Sequence, residues 1–490
     1  MSPTTIRKKQ LGHRVLRTAC KSSVLLLMCV AGSGDAYALS LREAIAVAVE
    51  SNPQIGQAIE NREAVEFELR QARGLYLPSL DLETSVGGRR LDNPTRRSLR
   101  IDNDTLTPAD ISIVATQKLF DGFGRRAEVR KQASRVDSAS LRVLERSEFI
   151  GLQVAREYLE ALLQAEIVAE AQRNLGVNRQ IASDVGSGAT GGTLTEADRQ
   201  QSRERVLASQ ARLQEAQEEM DAAKIRFYAL VAKPFANAAR PPSVSAALPK
   251  SLEQAIGLGR TSNPQVRVAR ADVSTAEAEI KQARSRYFPE IFVEGRASTG
   301  HDVNGFEGRT TDMEARVVAR WNLYRGGIDR ANEQEQIRRA GEQRLVLHQT
   351  HRQVEEVVRA SWDRRIKQVQ LADILRRQTQ ANAQLVSSYR QQLAVGQRSL
   401  LDVLDAQNEN FNSRLLATTA EYAALFAQYR LLAATGQLLD TLKIVPPKQA
   451  DAYARTEFKV PEAAPTETQA RMPSRQTNTL PLDLLAPIRN

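Results

Sequence analysis

Apolar positions follow two different periods along this chain. From residue 80, Leu80, Leu82, Thr84 and Val86 alternate with Asp81, Glu83, Ser85 and Gly87, and Ile111, Ile113 and Ala115 resume the alternation after a polar loop. The same period-two pattern returns at Ile291, Val293, Gly295 and Ala297, and again at Ala315, Val317, Ala319, Trp321 and Leu323. Such alternation predicts four strands of about ten residues, each with one apolar and one polar face. Strands of that length suit a membrane β-barrel, apolar outward and polar inward, and soluble hairpins are the competing reading of the pattern alone. Elsewhere the spacing is helical. Phe411, Leu415, Thr418, Tyr422, Leu425, Tyr429 and Leu432 step by alternating fours and threes, and so do Leu213, Ala216, Met220, Ala223, Phe227 and Leu230. This is the seam of a coiled coil. Long helices are expected over 125–185, 194–232, 328–395 and 399–440. Sixty helical residues would extend roughly 90 Å, beyond the width of a globular domain.

The chain is internally duplicated. Ser40-Leu41-Arg42-Glu43-Ala44-Ile45 followed by Ser51-Asn52-Pro53-Gln54 recurs, 211 residues on, as Ser251-Leu252-Glu253-Gln254-Ala255-Ile256 and Ser262-Asn263-Pro264-Gln265. The offset persists at Gln71-Ala72-Arg73, Tyr76, Pro78 and Glu83. It then becomes 204, matching Leu119-Phe120-Asp121-Gly122 to Leu323-Tyr324-Arg325-Gly326. Each half starts alike. Ser40 with Glu43, and Ser251 with Gln254, predict capping boxes on a short helix. Asn52-Pro53 and Asn263-Pro264 then cap a second helix with proline at its first position, and Pro78 and Pro289 end it. The chain therefore divides into 1–38, a first repeat over 39–232, a linker over 233–250, a second repeat over 251–440, and a tail over 441–490.

Composition changes the picture at both ends. Residues 1–38 carry six Lys and Arg, then an apolar run from Val24 to Val30, then Ala36-Tyr37-Ala38, the layout of a signal peptide. Anchoring through Cys29 as a lipoprotein is the weaker alternative, because Met28 stands where such signals want a small residue. Both cysteines lie in this segment, so the exported chain needs neither disulfides nor a thiolate metal site. Its 68 Lys and Arg against 58 Asp and Glu become 62 against 57 without it, and the balance falls from +10 to +5. With arginine pairs spaced among Glu and Gln on the helices, nothing calls for a nucleic-acid partner. At the far end, seven of the 18 prolines fall within 446–490, which predicts a disordered tail. No run of 18 apolar residues occurs, so no membrane-spanning helix is expected. If the four strands enter a membrane, they cannot close a barrel alone. Open edges would leave backbone groups unpaired in hydrocarbon, so the chain must oligomerise.

Together the duplicated Asn-Pro-Gln helix starts, the Tyr-x-Pro ends before each first strand, the Phe/Tyr-x-Gly exits from the second strands and the run Gly396-x-x-Ser399-Leu400-Leu401-Asp402-Val403-Leu404-Asp405-Ala406 resemble the TolC-like outer membrane efflux protein family. The resemblance covers roughly 39–440. It implies a mainly α fold with a small β part: a duplicated unit in which a long coiled-coil helical barrel joins a trimeric membrane β-barrel receiving four strands per chain. It further implies an outer-membrane channel-tunnel with a long periplasmic extension. Such channels serve either type I protein secretion or multidrug efflux, working as homotrimers with a periplasmic adaptor and an inner-membrane ABC or proton-driven transporter. The poor lipoprotein signal favours secretion.

The resemblance also assigns residues. Asp402 and Asp405 take the place of the acidic residues at the closed tip, where three copies would stack two acidic rings; spacing alone reads Asp402 as a first-turn residue favoured by the helix dipole. Arg398 matches a gate arginine. Its partners in the first-half turn are drawn from Thr193, Thr195, Glu196 and Asp198, and Leu393 stands where some members have a gating tyrosine. Trp321 and Tyr324 suit an interfacial aromatic girdle that contacts outer-membrane lipid.

Other motifs fall away. Gly186-x-Gly188-x-x-Gly191 has the letters of a dinucleotide loop but follows a helix, where a helix-to-helix turn fits better. His348 and His351 lack further ligands. No catalytic constellation or cofactor motif is found. A periplasmic coiled-coil scaffold is the rival from another class, separated from the channel by the four strands.

Overall fold

The computed structural model describes residues 39–236 and 238–458; the expected signal peptide, 1–38, and the tail from 459 lie outside the described residues. The first repeat runs α1 (Leu41–Ser51), α2 (Pro53–Gly74), β1 (Ser79–Val86), β2 (Arg89–Arg90), α3 (Pro94–Ser98), β3 (Thr105–Leu106), β4 (Ala109–Asp121), α4 (Gly124–Thr190) and α5 (Glu196–Val231). The second runs α6 (Leu252–Ser262), α7 (Pro264–Ser285), β5 (Glu290–His301), β6 (Arg309–Arg320), α8 (Ile328–Ala394) and α9 (Leu400–Thr435), followed by α10 (Leu438–Thr441) and α11 (Ala454–Glu457).

The helix starts follow their predicted chemistry with one exception. Glu43 N–H donates to Ser40 Oγ at 3.2 Å and Ser40 N–H donates back to Glu43 Oε2 at 2.9 Å, closing a capping box. At the second repeat Gln254 N–H donates to Ser251 Oγ at 3.1 Å, but the Gln254 side chain accepts from Lys250 N–H instead, so only half of the box forms. Asn52 and Asn263 each accept from the amide two residues on, at 2.9 Å, with proline at the first helical position.

α4 and α8 have 67 residues each, about 100 Å of helix. α5 and α9 have 36 each. α5 packs along α4 and α9 along α8, and the two hairpins meet through α4 and α9. The largest apolar cluster gathers Tyr158, Phe227, Tyr429, Leu431 and Leu438 around the upper halves of α4, α5 and α9. Smaller clusters continue down the hairpins at Val168, Ala171, Ala216 and Phe411, then at Ile181, Val185, Leu400 and Leu404. No helix among the described residues is long and apolar enough to cross a membrane.

The four long strands form one antiparallel sheet in the order β1-β4-β5-β6. Its register sorts side chains by face. Leu82, Ile113, Ala297 and Met313 form one cross-strand row, while Glu83, Ser112, Ser298 and Asp312 form the next. One face is thus an exposed apolar surface, with Leu82 64%, Met313 81% and Val317 70% accessible. The opposite face carries the charges, including an Arg316–Glu294 pair at 2.7 Å. β1 and β6 end the sheet with unpaired edges.

Five features differ from expectation. α4 continues through Gly186 and Gly188 to Thr190, so the turn to α5 is only 191–195. α9 stops at Thr435 rather than 440. Gly436 adopts φ +71°, and a Cβ there would lie 2.9 Å from Asn263 Cα and Ser262 O, so the helix breaks where α6 and α7 press closest. β6 ends at Arg320, leaving Trp321 and Leu323 outside the strand. The polar loop between β1 and β4 folds around Arg96, which is 1% exposed and bonds the carbonyls of Gly305, Ile101 and Asp104.

The fifth difference corrects the disordered reading of the tail for its first part. Residues 438–458 lie against the repeats, anchored by Asp137 of α4. This carboxylate is 2% exposed and accepts from Ala454 N–H at 2.7 Å and from Arg455 Nε at 2.7 Å. Tyr453 Oη accepts from Arg62, and Gln449 donates to Glu63 at 3.1 Å.

Candidate functional site

Two helical turns, one per repeat, carry the residues singled out at the tip. They are built on the same plan at an offset of 204. Ser399 N-caps α9 with Asp402 in a capping box: Asp402 N–H donates to Ser399 Oγ at 3.2 Å, and the hydroxyl donates to Asp402 Oδ2 at 2.8 Å. Thr195 N-caps α5 with Asp198 in the same way, at 3.2 and 2.7 Å. In both turns a short hydroxyl residue satisfies an orphan amide while the carboxylate three residues on reaches back. The hydroxyl hydrogen bonds hold both carboxyls below their ordinary pKa, and the Arg199 contact at 2.7 Å does the same for Glu196. All three carry charge at neutral pH.

Arg398 faces its own turn. Its Nε donates to Gln392 Oε1 at 3.0 Å, its guanidinium stacks 4.3 Å from the centre of the Tyr389 ring, and Nη1 stands 3.8 Å from Asp402 Oδ2. Gly396, at φ +74°, makes the tight reversal that sets Arg398 there. Thr195, Glu196 and Asp198 close their hydrogen bonds within the other turn, so inside one protomer Arg398 is not brought to them. Thr193 Oγ1 donates to Gly188 O at 3.0 Å.

Asp405 is the tip residue that joins the repeats. Its Oδ1 receives Arg205 Nη2 of α5 at 3.1 Å, with the carboxylate still 59% exposed. Arg212, two turns higher, donates to Asn408 and Asn412 at 3.1 and 3.3 Å. Sequence reasoning missed this arginine ladder. Its only signal is that Arg205 and Arg212, one heptad apart, share a face of α5. Leu393 packs against Ile181, Val185, Leu400 and Leu404, which form an apolar plug between the hairpins above the turns.

At the sheet end Trp321 is 58% and Tyr324 83% exposed. The Trp321 indole donates to Tyr287 O at 3.1 Å, which ties the end of β6 to the end of α7. His348 and His351 gather no ligand set: among the described residues no group of three or more His, Cys, Asp and Glu is placed to hold a metal.

The family model described as outer membrane efflux protein matches residues 44–233 and 255–437, one segment per repeat. Outer membrane efflux protein BepC of Brucella suis biovar 1 is 24% identical over 433 residues, covering 86% of this chain and 91% of its own length. Proteases secretion protein PrtF of Dickeya chrysanthemi is 24% identical over 444 residues, covering 85% and 92%. Among solved structures, the outer membrane protein VceC of Vibrio cholerae superposes with a TM-score of 0.68 at 16% identity, covering 81% of this chain and 96% of VceC.

Proposed function

Because the chain belongs to the outer membrane efflux protein family, a family of TolC-like outer-membrane channels, we propose that three copies assemble into one channel-tunnel serving type I protein secretion. The observation that carries this is the sheet: four long strands, one apolar and one polar face, and two unpaired edges. Placed in a bilayer, a lone sheet of this kind would leave the outer backbone groups of β1 and β6 without partners, each costing several kcal/mol. Pairing β6 of one copy with β1 of the next removes every edge, and three copies supply twelve strands. The apolar rows then face lipid, with Trp321 and Tyr324 in the girdle where the strands meet the periplasm.

The helical hairpins extend the path toward the inner membrane, where a periplasmic adaptor and an ABC or proton-driven transporter supply substrate and energy. At the tip, three copies of Asp402 and Asp405 form two charged rings one helical turn apart. These rings attract cations and oppose complete closure by mutual repulsion. Arg398, held beside Asp402 in each copy, tempers the ring nearer the tip and stands ready to engage Thr195, Glu196 or Asp198 of an adjoining turn when the tip closes. The apolar plug above the turns gives each hairpin pair a rigid base for that motion.

The secretion reading draws on the likeness to PrtF, whose name assigns it to protease secretion. The equal likeness to BepC, named an efflux protein, supports multidrug efflux as the second reading. Deleting the gene and comparing the secreted proteins with drug susceptibility separates them. Loss of one or more secreted proteins with unchanged susceptibility is expected; hypersensitivity with an intact secretome would replace secretion by efflux. Recovery of the protein in the soluble periplasmic fraction would eliminate the channel.

A further inference from the structure

The duplication leaves one pair of helix faces uncovered, and at one level they carry charges where their covered counterparts carry Leu163 and Leu425. α8 repeats α4 and α5 repeats α9 at the same offset of 204, residue for residue in length. Within the chain, α9 packs against α4 through Phe411, Leu415, Tyr422 and Leu425, with Tyr422 Oη donating to Glu166 Oε1 at 2.6 Å to mark the level. The counterparts on α5 are Leu207, Ala211, Glu218 and Asp221, with Gln214 and Ile225 in the same stripe. All are exposed, Leu207 to 66% and Ile225 to 70%. The α4 positions Leu163, Ile167, Glu170, Val177 and Ile181 correspond to Lys367, Leu371, Ile374, Ala381 and Leu385 on α8, which are likewise exposed. Each face is a seam with the spacing of a coiled coil and no partner within the chain.

We propose that α5 of one copy packs against α8 of the next in the register that α9 and α4 hold internally, and that Asp221 there meets Lys367, with Glu218 one turn below and Arg364 one turn beyond, in a charged layer that tells this junction apart from the internal one. The inference rests on the trimer of the preceding section. Carrying the Tyr422–Glu166 contact across by 204 sets Glu218 beside Gln370 and Asp221 at Lys367, with Arg364 one turn beyond. Below the layer the α5 face offers Leu207, Ala211 and Gln214 and the α8 face Leu371, Ile374, Ala381 and Leu385, all but Gln214 small or apolar. The surface pairs that Asp221 and Lys367 now make, with Lys224 at 3.0 Å and Asp363 at 2.8 Å, are exposed ones of little strength and yield readily to new partners.

The layer answers a difficulty that duplication creates. Two junctions of equal length and spacing invite α9 to pair with a neighbour's α8. In that arrangement Lys367 would be buried against Leu425, a cation set opposite an apolar residue and left with only the Asp363 carboxylate of its own helix. A charged layer at this level in one seam, where the other has Leu163 and Leu425, fixes both register and partner, because the wrong pairing leaves Lys367 without a carboxylate across the seam.

The test uses disulfide trapping in the full chain, whose own cysteines both fall within 1–38. Asp221→Cys with Lys367→Cys, oxidised in membranes, is expected to give covalent dimer and trimer that reductant returns to monomer. The displaced pair Asp221→Cys with Ile374→Cys, one heptad out of register, is expected to stay monomeric. A trimeric wild type with no 221–367 link, or with the displaced pair linking equally, would overturn the proposal alone; a monomeric wild type would overturn the channel reading and the proposal with it. Charge reversal gives a second readout. Lys367→Glu with Arg364→Glu is expected to lose trimer on native gels, and adding Glu218→Lys with Asp221→Lys is expected to restore it. Equal loss in the compensated chain would refute the charged layer.

Discussion

Glu148 sits on α4 where α10 begins, 6% exposed, and its chemistry predicts an unusual pH dependence of stability. Oε1 accepts from Leu439 N–H at 3.3 Å, while Oε2 is buried without a partner. Burial pushes the carboxyl up from 4.5 to about 7; the amides of Leu439 and Leu438 oppose the rise and Asp440 adds to it. Between pH 4.5 and 7 the folded chain therefore keeps a proton that the unfolded chain releases. Stability falls as pH rises through that window and levels off above it, and the shift corresponds to about 3 kcal/mol per copy. Glu148→Gln keeps the acceptor for Leu439 and cannot ionise. Thermal unfolding of the purified protein in detergent, measured from pH 4 to pH 8, compares the two. The advantage of the glutamine variant over wild type is expected to grow by about 3 kcal/mol across the range. A difference that stays constant with pH would refute the buried, protonated carboxyl.

Three other perturbations probe separate parts of the account. Gly436→Ala forces a side chain into a left-handed position against Asn263 and Pro264; a loss of about 2–4 kcal/mol is expected in denaturant melts, and an unchanged midpoint would contradict the close approach. Asp137→Ala removes the acceptor of Ala454 and Arg455, so trypsin should cut after Arg455 in the variant and spare it in wild type, as read by mass spectrometry. Arg205→Ala frees the Asp405 carboxylate at the tip. It should cost under about 1 kcal/mol in stability, since the pair is exposed, while shifting the zero-current potential under a salt gradient toward stronger cation selectivity. A shift toward anions would place Asp405 away from the conduction path.

The features legible in the sequence were those whose causes are local. Alternation in residues 80–86 and 111–115 reflects two faces of one strand, and the capping residues Ser40, Asn52, Ser251 and Asn263 act on amides within one turn. The duplication made each assignment serve twice. What escaped depends on partners distant along the chain. Nothing near Ala454 announces Asp137, more than 300 residues earlier, so a proline-bearing segment looked disordered where it is fastened. The end of α9 at Gly436 is imposed by α6 and α7 pressing from the side. Arg205 and Asp405 come together only because α5 and α9 run parallel at the tip, and the acid was visible while its partner was not. Arg398 presents the reverse case: it was singled out for a contact across the tip, and within one chain it is held by Tyr389 and Gln392 beside it.

The central claim is that copies of this chain close into one conducting pore in the outer membrane, and recording from the purified full chain in a planar bilayer tests it most directly. The account predicts discrete, cation-selective unit openings from a trimer, blocked by multivalent cations on the tip side, with the block relieved in Asp402→Ala combined with Asp405→Ala. A trimer that inserts yet gives no unit conductance, or one whose selectivity and block ignore both aspartates, would contradict it.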